Sequence, residues 1–482
     1  MPKILIYYEH KAREYQYCHA LKYELKRRGY SVGLCQILNR HTWWHKIFSM
    51  PKVVVVGTVS TAVSVANFNL LEDRCDFLRG RTPLIVNLQA EQCFRDEDCN
   101  YNIVADDEWR QSIYYLCWGE RRKKQILERG VEEEKICVSG AMHLDFLRDE
   151  FQGIYKDREE IAHLYHLDSK KRWILIMSSF VMATMTSAQL HILTKMQQAC
   201  DPEYMHEQVV AKQKVSTISQ SILLDWIDNY LSQNSDCIFI YRPHPKEKIT
   251  EDIKRMIESY PNQFLFIGEE SIQQWILVCD TIDNWISTAI VEAFFAKKQA
   301  IVVQPIPVQK DFEPAVLDEC KKIRTYDAFK MAQAGDQLFH EETFPVNKKI
   351  MNSYYKTEGP CAYIQAADFI EKVYHLPAPA VGKSKFTWRT VFSKWFLFRI
   401  YRSVYAVTRL KFSWIALRFK NAFRKLEVEV DKGYISGDVL VTKEDRKTCR
   451  KIKRYVYQIA GRNLRDIENE TETAKQGESV CQ

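Results

Sequence analysis

The chain has 482 residues, room for two or three domains that each bury a core. Its apolar (46%) and charged (27%) fractions are those of a folded protein, which excludes a disordered, fibrous or low-complexity chain, and no stretch is long and apolar enough to span a bilayer. The net charge of +7 is concentrated: residues 381–425 hold twelve Lys and Arg and no Asp or Glu, so the remainder, +7 less twelve, is −5, and general nucleic-acid binding by the body is disfavoured.

The first residues, MPKILIYYEHKARE, carry no secretory n-region, h-region or cleavage site, because charge returns after Tyr8. The fourteen cysteines form no CxxC pair and no paired Cys/His spacing, so reduced thiols in a cytoplasmic protein are expected. KILIYY predicts a first strand over residues 3–8. An amphipathic helix over 13–28 follows, with Tyr17, Leu21 and Leu25 at helical spacing, and Gly29 signals its end. A strand over 30–38 completes a βαβ opening, which implies a parallel sheet. Further strands are predicted over 53–56, 83–88, 113–118 and 135–138, with a helix over 120–128. This makes one doubly wound domain, residues 1–150.

A charged, helical stretch over 148–171 then bridges domains, and the pattern restarts. WILIM predicts a strand over 173–177, followed by Ser178 and Ser179. Helical regions cover 187–198 and 219–232. The apolar run CIFIY over 237–241 is a buried strand closed by Arg242-Pro243-His244-Pro245, since two alternate prolines cannot continue a ladder. Next come a helix over 251–260, a strand over 263–267, a helix over 271–278, a strand over 279–285, a helix over 288–295 and a strand over 300–304. This is a second Rossmann-like domain, residues 151–375. Leu376-Pro377-Ala378-Pro379 reads as a linker to a tail, 376–482. The expected class is α/β, two Rossmann-like domains whose interdomain cleft is the default ligand site.

Chemistry is expected at the carboxyl ends of these strands, where open α/β sheets bind ligands. Arg242 offers a planar fork of donors, and His244 can donate to a phosphate oxygen or shuttle a proton. In NWISTAIVEAFFAKKQ, Ser287 and Thr288 open a helix whose free amides favour an anion. Glu292 lies one turn on and can accept from two ribose hydroxyls. The plain alternative is a capped amphipathic helix with a solvated Glu. After strand one, Glu14 and Glu9 are candidate bases, with His10 a third. Gln89 and Glu91 follow the fourth strand at similar height and are candidate acceptor-binding residues. His143 and Asp145, beyond the turn at Gly140, read as a hinge-stabilising pair.

EHKARE after strand one, ICVSGAMHLDFL at the first domain's end, WILIMSSF, YRPHPKE and STAIVEAFFAKKQ occur in the order seen in bacterial surface-carbohydrate (capsule or O-antigen type) biosynthesis proteins. Residues 3–375 resemble GT-B-like glycosyltransferases of that kind, related to the CDP-glycerol glycerophosphotransferase and Kdo/sialyltransferase groups that share an RxHP or HP motif. The resemblance implies that His244 contacts the nucleotide phosphate and that Ser287, Thr288 and Glu292 form the family's hydroxyl-rich turn and acidic residue. Two departures stand out. Lys297-Lys298-Gln299 replaces a common glycine-lysine-proline, and Gly140, His143 and Asp145 replace GNPRxD.

The expected reaction is metal-independent transfer of a sugar from a nucleotide-sugar donor to a glycan or lipid-linked acceptor. No cofactor is expected, and Asp106-Asp107 lacks the spacing of a metal-binding DxD pair. Arg242, His244, Ser287, Thr288, Ser178 and Ser179 would meet the leaving phosphate, and Glu14 or Glu9 would take the acceptor proton. In the tail, Phe392, Phe396, Ile400, Val404, Val407, Trp414 and Leu417 recur at helical spacing among the cations. This predicts peripheral docking to the inner face of an anionic cell membrane, each nearby cation contributing about 1 kcal/mol. Two alternatives stay open: CDP-polyol phosphotransfer, and a non-catalytic component of a polysaccharide-assembly complex.

Overall fold

The β-branched and aromatic runs singled out above all become buried parallel strands. The computed structural model describes residues 2–8, 11–36, 51–58, 83–90, 92, 107–151, 153–198, 203–244, 247–318, 320–334, 348–377 and 441–461. The chain divides into two compact units: the described parts of Met1–Phe146 with Asn352–Gln482, and Leu147–Met351.

The first unit opens with β1 (Ile4–Tyr8), α1 (Lys11–Arg27), β2 (Val32–Gln36), β3 (Val53–Val56), β4 (Leu84–Asn87), α2 (Asp107–Ser112), β5 (Ile113–Cys117), α3 (Glu120–Leu127) and β6 (Ile136–Val138). The six strands run parallel in the order β2-β1-β3-β4-β5-β6. Side chains alternate between faces: Leu5, Tyr7, Val54, Val56, Ile85 and Tyr115 share a core with Ile126 of α3. α1 ends as expected, with Gly29 left-handed (φ +92°) and the Tyr30 N–H reaching the Leu25 carbonyl at 3.1 Å.

The second unit contains α4 (Arg158–Tyr165), β7 (Arg172–Met177), α5 (Ser187–Gln198), α6 (His206–Leu231), β8 (Cys237–Arg242), α7 (Glu251–Ser259), β9 (Phe264–Phe266), α8 (Ile272–Val278), β10 (Thr281–Asn284), α9 (Ile290–Phe295), β11 (Ala300–Val303), β12 (Lys322–Ile323) and α10 (Tyr326–Gln333). Its sheet, also six parallel strands, has the order β12-β11-β10-β7-β8-β9. Order reverses at β7, so the crevice beyond the carboxyl ends of β7 and β10 is this unit's topological switch point. α6 is longer than its apolar pattern suggests. Its buried face carries Lys212, Ser216, Ser219 and Gln220, and these polar residues interrupt the periodicity.

α11 (Lys348–Tyr354), α12 (Ala362–His375) and α13 (Lys443–Ile459) follow. The second domain was expected to run to His375, but residues from Asn352 onward belong with the first unit. α12 lies on α1, β3 and β4. Asp145 accepts the Ala362 and Tyr363 N–H groups at 2.8 and 2.9 Å, capping a helix whose own N-cap residue, Cys361, makes no side-chain cap bond. Arg28 pairs with Asp368 (2.6 Å) and Glu371 (2.9 Å) of the same helix. α13 packs beside α1 through Cys449, Ile452 and Val456, with Lys11 on Asp445 at 3.0 Å. The cationic tail segment, 381–425, lies outside the described residues. Among the described residues no helix is long and apolar enough to cross a membrane, and the cysteines are free thiols.

Candidate functional site

In the second unit the β7 strand leaves its ladder at Ser178 and β10 leaves at Trp285. Phe180 stacks on Trp285 across the switch point, centroids 4.2 Å apart and planes 22° inclined, and Phe312 meets Trp285 edge-on. Ser178 does not face a phosphate site. Its buried hydroxyl lies 2.6 and 2.7 Å from the two Glu247 oxygens and 2.8 Å from the Tyr241 hydroxyl. This corrects the expected phosphate-binding role of Ser178. Ser179 is half-buried and starts the turn over Phe180–Thr184 without a side-chain cap bond.

Glu247 organises the RPHP corner. Its carboxylate also accepts from Tyr241 (2.6 Å), Gln220 of α6 (3.2 Å), the Phe180 N–H (3.1 Å) and the His244 N–H (3.4 Å). The Glu247 N–H returns to the His244 carbonyl at 2.8 Å. Sequence reasoning stopped at the prolines and missed this residue; a Glu three places after His244 was the available signal. His244 itself is exposed on the corner.

Arg242 turns along the sheet edge. Its Nη1 donates to the Pro243 carbonyl (2.8 Å) and its Nη2 to the Glu270 carbonyl (3.0 Å), while its buried Nε has no partner. Burial lowers its pKa, opposed by Glu269. Glu270 is left-handed (φ +60°), an uncommon conformation for a side chain of its size. Its carboxylate holds Lys156 at 2.7 Å. On the other side of that turn, the Tyr155 hydroxyl is bonded to Ser271 and feels the charge of Glu292. Arg242 therefore meets the turn Glu269 to Ser271 directly, through the Glu270 carbonyl, and Glu292, far away in sequence, is linked to it only through Tyr155. Loss of solvent pushes the Glu292 carboxyl up to about 7. Tyr155, Lys156, Glu269 and Glu270 were not anticipated; the polar GEES run after β9 was the one signal, and only for the two glutamates.

The expected helix start is shorter than predicted. α9 begins at Ile290 and has six residues, so its dipole is small. The Ser287 hydroxyl accepts the Ala289 N–H at 3.2 Å, and the Ser287 N–H is held by Asn284 Oδ1 at 3.1 Å. Thr288 is exposed.

In the first unit order reverses at β1, and Glu14 sits at that end of the sheet. Its carboxylate is fully buried and takes Arg13 at 2.6 Å. Gly57, after β3, leaves it room: a Cβ there would lie 2.6 Å from Glu14 Oε2. Enclosed in this way, Glu14 anchors Arg13 and is not presented to an acceptor hydroxyl, which corrects its expected role as base. Gln89 is likewise fully buried and left-handed (φ +51°), its N–H on Asn87 Oδ1 (3.0 Å) and its Oε1 receiving Arg122 Nε at 2.7 Å. An acceptor-binding role is not what this geometry favours. Glu9, His10 and Glu91 lie outside the described residues. Asp145, expected to stabilise a hinge with His143, serves α12 instead. His143 is turned to the Trp118 ring, centroids 5.1 Å apart.

No family model and no curated protein sequence matches the chain. Solved structures do. The wall teichoic acid polymerase TagF, in a variant soaked with CDPG, superposes at TM-score 0.50 and 11% identity, over 78% of this chain and 90% of that one. The fold is GT-B-like. The S. aureus MnaA–UDP co-structure aligns at TM-score 0.46 and 13% identity, covering 79% of this chain and all of that one. The Methanocaldococcus jannaschii UDP-GlcNAc 2-epimerase aligns at TM-score 0.47 and 12% identity, covering 77% and 99%.

Proposed function

We propose that this chain transfers a sugar from a nucleotide-activated donor to a surface-polysaccharide or lipid-linked acceptor. The observation that supports this most is the shared turn in the second unit. A half-buried guanidinium with an unsatisfied Nε holds the Glu270 carbonyl, and the desolvated Glu292 carboxylate acts on Tyr155, which is bonded to Ser271 of the same turn. In this reading Glu292, when ionised, accepts from the ribose hydroxyls. Arg242 and the exposed His244 meet the diphosphate, with Ser287 and Thr288 nearby in sequence. As the bond to the sugar breaks, the electron pair goes to the diphosphate oxygen, and these cationic and polar groups oppose the growing negative charge without a metal. Glu9 takes the acceptor proton, since Glu14 is committed to Arg13. The tail over 381–425 would hold the chain at an anionic membrane surface on the cytoplasmic side.

The test is a panel of nucleotides and nucleotide sugars against the full chain, followed by calorimetry and transfer assays. One nucleoside diphosphate should bind, and Arg242→Ala should weaken it by about 3 kcal/mol, the scale of a lost buried charge–phosphate contact. His244→Ala should abolish transfer while the protein stays folded. Full activity in His244→Ala refutes the assignment. If no nucleotide binds, the chain is a non-catalytic component. A second reading, polyol-phosphate transfer from a CDP-alcohol, has support from the CDPG-soaked TagF structure of like fold. Phosphate in the product distinguishes it.

A further inference from the structure

We infer that Trp118 and His143 of the first unit form a binding subsite for a neutral sugar ring, the acceptor side of the proposed transfer, on which this inference rests. Trp118 leaves the carboxyl end of β5 and is half-exposed. Tyr355 backs it with nearly parallel planes, 5.6 Å between centroids and 19° inclined. The Lys356 N–H fixes the Trp118 carbonyl at 2.6 Å. His143 leaves the neighbouring β6 through the left-handed Gly140 and sets its ring at 61° to the indole. The turn that carries it is rigid, because Asp145, two residues on, is locked into the start of α12.

Three features select the ligand. An aromatic ring held at a strand end offers a flat apolar surface, which suits the C–H face of a pyranose. His143 is half-buried, and its ring nitrogens have no hydrogen-bond partner among the described residues, so one can accept from and the other donate to hydroxyls. The nearby cation does not make this an anion site. Arg13 acts on His143, but Glu14 neutralises it with two contacts, at 2.6 and 3.2 Å. Burial and that guanidinium hold the imidazole neutral, its pKa down to about 4. A neutral aromatic–imidazole pair beside a compensated ion pair matches a hydroxylated ring and not a phosphate.

Saturation-transfer NMR on the full chain tests this, with methyl pyranosides of glucose, galactose, mannose and N-acetylglucosamine as probes and inorganic phosphate and glycerol as comparisons. At least one pyranoside should bind, and phosphate and glycerol should not compete with it. Trp118→Ala should weaken that pyranoside at least tenfold and His143→Gln about threefold, while Trp118→Phe, which keeps a stacking ring, should retain most of the binding and report on folding. Nucleotide binding, measured on the same samples, should be unchanged in all three variants. No pyranoside binding, phosphate competing with the sugar, or full binding in Trp118→Ala overturns the inference. Nucleotide binding without a pyranoside response sinks this subsite alone. Pyranoside binding without a nucleotide response sinks the transferase reading instead.

Discussion

Replacing Glu247 by alanine should unfold the second unit's corner at a cost that can be worked from its contacts. Five donors converge on that carboxylate: Ser178, Tyr241, Gln220 and the N–H groups of Phe180 and His244. Not all would be stranded. Ser178 can donate to the Tyr241 oxygen at 2.8 Å, and Gln220 already does so at 2.9 Å. The Tyr241 proton would lose its acceptor, about 1–3 kcal/mol for a buried donor, and the Phe180 N–H would keep only its long contact with the Ser178 hydroxyl oxygen at 3.5 Å, about 1 kcal/mol more. The vacated volume adds about 1 kcal/mol. The expected loss is about 3–5 kcal/mol, read from urea unfolding as a midpoint shift at unchanged slope. Glu247→Gln keeps one acceptor oxygen, and the two hydroxyls can rotate to accept from its amide, so its expected cost is about 1–2 kcal/mol. An alanine variant within about 1 kcal/mol of the parent, or a glutamine variant as damaged as alanine, would refute the reasoning.

Asp145→Ala should cost about 2–3 kcal/mol, because two buried amide donors at the start of α12 lose a charged acceptor; amide exchange over residues 362–375 should accelerate, and unchanged protection there would contradict the assignment. Asp283 is buried in β10, with Gln333 Nε2 on its Oδ2 at 2.7 Å and both Oδ1 and Gln333 Oε1 unpartnered, an arrangement that a proton on Asp283 would complete. Burial raises its carboxyl to about 7 from 3.8, so its stabilising effect is full below about pH 4 and is lost as pH rises through 7, by at most about 4 kcal/mol. Asp283→Asn should flatten that profile in pH-dependent urea melts, and identical profiles would rule the proton out. For Glu292, ribose hydroxyls need the ionised form, so nucleotide affinity should fall roughly tenfold from pH 8 to pH 6, with a carboxyl near 7. Glu292→Gln should show no such fall in calorimetry, and the same slope in the variant would assign it to another group.

Much of the architecture was legible because it is written in local signals. Four consecutive valines, WILIM and CIFIY can only be buried strands, and helices between them force a parallel sheet. Gly29 and the RPHP corner ended their elements where the chain said they would. Pieces whose partners lie far away in sequence were not legible. α12 reads as the close of the second domain until Asp145 and Arg28 are seen gripping it. Of the long α6 the sequence pattern shows only 219–232, because buried residues of its first half are polar, and their partners, with those of Gln220, come from other elements: Asp311, Tyr241 and Glu247.

The sequence by itself determined two parallel α/β units and, β12 apart, where their strands lie, since burial period, proline and glycine act within a few residues. Only the tertiary structure decided what the residues at the strand ends do. Whether a carboxylate acts as a base, a cap or a clamp depends on which donors reach it and how much water remains. Glu14, Asp145, Glu247 and Glu292 differ on that point alone.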